Sequence, residues 1–471
     1  MSEWDLNTPL LTFGNGDYWT IGDSFDGLQC FGKTGSGKTS SVGRNLAEAM
    51  LSADYGGLVL CLKSDEAENF ERWADAAGRG ESIFRMSIDE DLYFDVLGYE
   101  TQKEGGTETE NLLNLFITMM EITNEGKLFS GNDAYWGLSV KQCLRNVIDL
   151  IKAAKDSFTI FDIYKFIISA PQSLAQMNSE DWKKESYCFE CLRLANERGR
   201  GGSDLEIATV YFGKEFPTLS EKTRSIIISY ITTTADAFLR GSLKKYFAEK
   251  TNCPPSLSEE GAIIVLDFPV EGSGGELGRI GQSIYKYAWQ KSILKRDFSR
   301  GKGESNRPCF LWADESQRFL NSSDVLFTQI SRSQGVANVF LSQNESGYHA
   351  AIGEGKKNEV NALLGNLSTK IWCANDDDLT NEAASKRIGQ VWKKITATNT
   401  SVAKGSEIPT ANAGVSVSEQ LRYLVEPREF TELRTGGELN DYICDVIVFK
   451  SGKRFNTTGG NYIKTAFQQH F

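Results

Sequence analysis

The run FGKTGSGKTS at residues 31–40 limits the fold of this 471-residue chain more than any other stretch. The pattern G-x-x-x-x-G-K-[ST] fits here twice, once from Gly27 to Lys33 and Thr34, and once from Gly32 to Lys38 and Thr39. A loop of this kind leaves a strand and enters a helix, because backbone N–H groups and a helix N-terminus hold phosphates. In the first register the loop consumes Leu28 to Phe31, the one apolar run available as the strand. Its helix would then open on Gly35-Ser36-Gly37, a poor start. In the second register LQCF is the strand, GKTGSG the loop and KTSSVGRNLAEAMLSADY the helix, with Val42, Leu46, Ala49 and Met50 on one face. The second register is therefore preferred. It gives Gly32, Lys33, Thr34, Gly35, Ser36, Gly37, Lys38, Thr39 and Ser40 to the phosphates of ATP. Lys38 is expected at the β- and γ-phosphates and the Thr39 hydroxyl at Mg²⁺.

A phosphate loop needs an acid at the end of a second apolar strand. Short apolar runs at 56–63, 261–268, 308–315, 336–343 and 368–375 are of the type that fills a parallel sheet covered on both faces. These runs predict an α/β fold with a mostly parallel central sheet. PCFLWADESQRFL supplies the best acid. Asp314 ends the strand and is expected to hold Mg²⁺ through water, and Glu315 is expected to polarise the attacking water. Asp267 in IVLDFP lacks an adjacent acid and reads as a strand-end aspartate in a turn. Gln343 ends the strand VANVFLSQ, where a polar side chain can reach the γ-phosphate and report hydrolysis. Arg332 precedes that strand. It reads equally as an arginine finger for a neighbouring subunit's ATP and as a surface arginine.

Lys38 and Asp314 lie 276 residues apart, more than a bare core needs. Residues 101–250 are helical in pattern. In YWGLSVKQCLRNVIDLIKAAK, Trp136, Val140, Leu144, Val147 and Ile151 share a face, and EKTRSIIISYITTTADAFL gives a second helix. The expected division is residues 1–100 as the first part of a nucleotide-binding domain, 101–250 as an inserted all-helical domain, and 251–471 as the second part, with the acid strand, the sensor and C-terminal strands. Residues 394–420, rich in Thr, Ser, Ala and Asn, predict a long mobile loop. The segments 270–279 and 292–302 are candidate pore loops.

The chain carries −12 net, distributed unevenly: residues 1–100 hold −11, 101–250 hold −1, and 251–471 sum to zero. A local basic channel for nucleic acid is therefore compatible with the total. No apolar run approaches the ~20 residues that span a bilayer, and the N-terminus has no secretory pattern; a cytoplasmic protein with no direct membrane span is expected. The nine cysteines are scattered in apolar runs, as suits reduced core thiols. Cys188 and Cys191 have no second pair for a zinc site, and with two histidines in the chain multi-histidine sites are excluded.

Together these segments resemble the coupling ATPases of type IV secretion and bacterial conjugation, TraG/TraD-like members of the FtsK/HerA-like group of DNA-pumping motors. The resemblance runs through GKTGSGKTS, LVLCLKSDEAENF, the helical insertion, FLWADE, SRSQG…FLSQN, NLSTKIWCANDDDLTNEAASKRIG and YLVEPREFTEL. The second of these keeps Lys63 but lacks the proline and glycine usual in the family. The resemblance implies a RecA-like core and a ring, usually hexameric, with ATP between subunits and DNA, single- or double-stranded, through the centre. It also implies Lys38 and Thr39 at ATP-Mg²⁺, Asp314 and Glu315 as the Walker B pair, Gln343 as sensor and Arg332 as finger. The helical domain would help select relaxase or nucleoprotein cargo. Membrane-bound members begin with transmembrane helices, whereas this sequence begins almost at the core, which points to a separate membrane partner or to another DNA transaction. The alternatives are a soluble DNA-processing or anti-phage defence ATPase and an ATP-dependent cargo-recruitment module.

Overall fold

The computed structural model describes residues 4–101, 108–124, 134–270, 275–296, 298, 307–353, 356–402 and 411–469. Its strands, in chain order, are β1 (Pro9–Gly14), β2 (Asp17–Thr20), β3 (Leu28–Phe31), β4 (Gly56–Leu60), β5 (Ile83–Ser87), β6 (Ile263–Asp267), β7 (Cys309–Ala313), β8 (Val336–Ser342), β9 (Thr369–Trp372), β10 (Gln390–Val402), β11 (Ala411–Tyr423), β12 (Ile443–Lys450) and β13 (Tyr462–Gln468). The chain divides into two compact units, one of residues 1–4 and 50–337, the other of residues 5–49 and 338–471.

In the first unit β4 pairs in parallel with β7 and β6, and β6 pairs in parallel with β5. GGLVL, IIVLD and CFLWA are buried throughout. Such continuous apolar runs need cover on both faces, which parallel strands with helical crossovers provide. Between β5 and β6 the described residues are mostly helical, including Thr109–Thr123, Ala134–Ala154, Tyr187–Arg198 and Glu221–Phe238. The face read from the sequence is the buried one in Ala134–Ala154 except at its start: Val140, Leu144, Val147 and Ile151 are each fully enclosed, and Trp136 is half-buried. Cys188 and Cys191 are buried in one helix, and burial pushes both thiols up, Cys191 to about 11.

In the second unit β3 lies between β8 and β9, parallel to both, and β12 pairs antiparallel with β9 and β13. The α/β class and the mostly parallel pairing expected from the sequence are thus present. The segment 394–420 differs from its expectation. β10 and β11 form an antiparallel ribbon of thirteen paired positions, from Gln390↔Tyr423 to Val402↔Ala411, and residues 403–410 lie outside the described residues. The Ser, Ala and Asn content suggested a loop, but alternating Thr, Ile and Val favour a pleated strand. Of the candidate pore loops, residues 271–274, 297 and 299–302 lie outside the described residues.

Candidate nucleotide site

The phosphate loop belongs to the second unit. β3 carries the chain into it, and the loop is pinned at its base by Gly32 N–H donating to the Ser342 carbonyl at 3.1 Å and Lys33 N–H to the Ala374 carbonyl at 2.9 Å. These bonds go to the last residue of β8 and to a residue just beyond β9, so the strands flanking β3 set the height at which the loop leaves the sheet. Gly35 (φ +74°) and Gly37 (φ +79°) take left-handed conformations that residues with a Cβ enter only at a cost. A Cβ on Gly37 would overlap the Cys444 Sγ, and one on Gly32 would lie 2.5 Å from the Ser36 Oγ and 2.9 Å from the Cys373 Cβ.

The helix begins at Lys38, directly after Gly37. Its first turn, Lys38–Gly43, is wound as a π-helix and it continues as α-helix through Arg44–Ser52. Single π-turns within helices are frequent at functional sites. Lys38 is 6 % exposed, whereas Lys33 and Thr34 are exposed on the loop. The strand, loop and helix boundaries are those of the second register, with Thr39 and Ser40 in the helix's first turn and half-buried.

The loop fits a phosphate on this chain's own features. The Ser36 Oγ is buried with no hydrogen-bond partner among the described residues, an arrangement costly unless a ligand or water satisfies it. A helix N-terminus adds unsatisfied N–H groups and partial positive charge.

The acids belong to the first unit. Asp314 follows β7 and is 4 % exposed. Glu315 has φ +47°, an uncommon conformation for a residue with a side chain. Its N–H donates to Asp314 Oδ1 at 2.9 Å, and its Oε2 accepts from Gln317 Nε2 at 2.8 Å. Backbone strain of this kind persists where the surroundings enforce it, often at functional sites. Arg332 is exposed in the short turn Ser331–Gln334. Gln343, in the second unit, is exposed directly after β8, and its carbonyl accepts from Asn375 Nδ2 at 2.8 Å. Asp267, the rival acid, is committed elsewhere. It accepts from Arg85 Nη2 at 2.5 Å and Ser64 Oγ at 3.0 Å, which ties β6 to β5 and to the helix Ser64–Ala76.

Two contacts on the phosphate loop escaped the sequence reading: Cys444 against Gly37, and Gln469, whose Nε2 donates to the Ser40 Oγ at 2.7 Å. Both come from the strands β12 and β13 or their margins. Strand periodicity could have located those strands but not their register against the loop.

Strand, glycine loop and buried lysine define the class: an α/β protein with a P-loop. Residues 308–435, which run from the start of β7 past the ribbon, match the family model described as the TraM recognition site of TraD and TraG. The fold is similar to that of the bacterial conjugative coupling protein TrwBdeltaN70 in its unbound monoclinic form, with TM-score 0.62 and 12 % identity over 99 % of this chain and 91 % of that one. It is similar also to plasmid coupling protein TrwB with the non-hydrolysable ATP analogue ADPNP (TM-score 0.60, 12 % identity, 95 % of this chain, 86 % of that). TrwB with ADP and Mg²⁺ gives TM-score 0.60 and 12 % identity over 95 % of this chain and 87 % of that one. No curated protein matches the chain in sequence. The TraG/TraD-like resemblance read from the motifs thus has a counterpart in the match of residues 308–435, and the fold is similar to that of a conjugative coupling protein. Among the described residues no helix is long and apolar enough to cross a membrane.

Proposed function

We propose that this protein is an ATP-hydrolysing motor of the coupling-protein type that acts on DNA. The observation that carries the reading is the loop itself: a β3 exit, two left-handed glycines and a buried Lys38 at a helix N-terminus. In this reading the Lys38 ammonium and the N–H groups of the helix's first turn bind the triphosphate, with Gly32 to Gly37 forming the cradle. Thr39 and Asp314 are the residues that would hold Mg²⁺, which when bound neutralises phosphate charge. Glu315 takes up the proton of the attacking water, a role typically worth about 10²–10⁴-fold in rate. Gln343 senses the γ-phosphate, and Arg332 acts as a finger toward a neighbouring copy. The complexes of TrwB with ADPNP and with ADP and Mg²⁺ support the ligand assignment by likeness of fold.

The same reading carries the remaining expectations: a ring, as a hexamer, DNA as the translocated polymer, residues 101–250 as a cargo-selecting insertion between the two parts of the nucleotide-binding domain, and a separate membrane partner. One observation favours recruitment as a second reading, namely that the family model matched by residues 308–435 is described as a recognition site. The deciding experiment is ATPase rate with and without single- and double-stranded DNA, on a sample whose mass is measured at each protein concentration. A motor gives turnover that rises with DNA and with assembly. Turnover indifferent to both DNA forms supports recruitment, and no turnover under any condition removes the ATPase.

A further inference from the structure

The end of β13 reaches the phosphate loop. Gln469, directly after β13, makes three hydrogen bonds, each with a distinct consequence. Its backbone N–H donates to the Tyr442 carbonyl at 2.7 Å, which fixes the main chain. Its side-chain Oε1 accepts from the Gly437 N–H at 2.9 Å. Its Nε2 donates to the Ser40 Oγ at 2.7 Å. The Gly437 bond settles which end of the amide faces Ser40, because a backbone N–H can only donate and so must meet the oxygen. The amide is held firmly: Gly436 has φ +81°, and a Cβ there would overlap the Gln469 Oε1 and lie 2.8 Å from the Cys444 Sγ.

A serine hydroxyl has one proton to donate and two lone pairs to accept with. With the Gln469 amide N–H occupying a lone pair, the proton of Ser40 remains for an acceptor. Ser40 stands in the first turn of the helix that opens at Lys38, two residues on from it. Among the described residues it has no recorded acceptor for that proton.

We propose that Gln469 is a positioning residue for triphosphate binding: by donating to Ser40, it keeps the Ser40 hydroxyl proton directed to a phosphate oxygen. This inference rests on the nucleotide reading of the loop. A glutamate at 469 reverses the arrangement. Its carboxylate can only accept, so it captures the Ser40 proton and places negative charge beside the phosphates. An alanine at 469 merely releases the hydroxyl to rotate.

The test is binding of a fluorescent ATP analogue with Mg²⁺ to the full chain, together with KM and kcat for ATP and a melting curve for each variant. The expected order of affinity is wild type, then Gln469→Ala, then Gln469→Glu. Hydrogen bonds to charged groups contribute about 1.5–3 kcal/mol, so Gln469→Glu should weaken binding by about 10- to 100-fold. The loss should appear in KM rather than kcat. Should the glutamate variant not fold, the cycle of Ser40→Ala, Gln469→Ala and their double remains. The double should bind as Ser40→Ala does, because Gln469 acts through that hydroxyl. Equal affinity of wild type and both Gln469 variants, or independent losses from Ser40→Ala and Gln469→Ala, would overturn the inference and leave the nucleotide site standing. Absence of nucleotide binding by the folded wild type would overturn the nucleotide reading, and this inference with it.

Discussion

The N–H of Glu315 donates to the carboxylate of Asp314 at 2.9 Å, within a turn that holds Glu315 at φ +47°. Adjacent acids are thereby given different settings. Asp314 is nearly enclosed and anchored to backbone, and Glu315 is half-buried and shares an oxygen with Gln317. Glu315→Gln preserves the donor to Asp314, which comes from backbone, and removes the carboxylate proposed as the base. It should bind ATP-Mg²⁺ with near-normal affinity and lose at least about 10²-fold in turnover. Asp314→Asn should weaken Mg²⁺ dependence as well. Turnover by Glu315→Gln at the wild-type rate would place the base elsewhere.

The two lysines of the double motif occupy opposite environments. Lys38 is 6 % exposed at the helix start, and Lys33 is on the exposed face of the loop with its N–H spent on Ala374. Lys38→Ala should abolish nucleotide binding in a direct titration, whereas Lys33→Ala should retain most of it. Equal losses in two well-folded variants would count against the register.

The parts of the fold that were legible are those where one physical demand dominates. GLVL, IIVL, CFLW and NVFL are short apolar runs that need burial, and their length and bounding turn signals favour strands over helices, so β4, β6, β7 and β8 could be located from them. The phosphate-loop motif could be picked out because phosphate chemistry fixes its spacing within a few residues. The ribbon β10–β11 was not, since its strands face solvent and carry no apolar run: Trp392 is 66 % exposed and Val417 61 %. There β-branched alternation decided the structure against composition. Cys444 and Gln469 were illegible for another reason. Their approach to Gly37 and Ser40 depends on pairing of β12 with β9 and β13, and Gln469 is 429 residues from Ser40 in sequence.

Gly35 and Gly37 allow conformational strain and close packing to be separated. Both have left-handed φ, but a Cβ on Gly35 would meet nothing within 4 Å, and one on Gly37 would overlap Cys444. Gly35→Ala should cost about 1–2 kcal/mol, the left-handed penalty alone. Gly37→Ala should cost more, and Cys444→Ala in its background should recover part of the excess. Denaturant midpoints at constant m would measure both. Identical losses at the two glycines would show that Cys444 moves aside freely.

The first unit contains a buried ion pair outside the proposed chemistry. Lys286 Nζ lies 2.5 Å from Asp324 Oδ2 and donates to the Phe319 carbonyl at 2.6 Å; Asp324 also accepts from Gln290 Nε2 at 2.7 Å and from the Asn321 N–H at 2.7 Å. The side chains are 2 % and 0 % exposed. The network joins the helix Gly275–Lys295 to the start of the helix Ser322–Ile330, whose end leads into the turn bearing Arg332. Removing one partner of such a pair costs about 3–5 kcal/mol, because the other charge is left buried, while replacing both by apolar groups is often neutral. Lys286→Met and Asp324→Leu should therefore each destabilise strongly, and the double variant less than either. The pH dependence carries a sign. Burial holds the Lys286 ammonium below the usual lysine range even beside Asp324. Asp324→Asn removes the favourable charge and lowers it further. Between the folded value and the unfolded value of about 10.4, the unfolded chain then binds more protons than the folded one, so stability rises with pH. Unfolding of Asp324→Asn should thus require more denaturant as pH is raised toward 10, relative to a Lys286→Met/Asp324→Asn control. Parallel curves for the two would show that Lys286 escapes to solvent once its partner is gone.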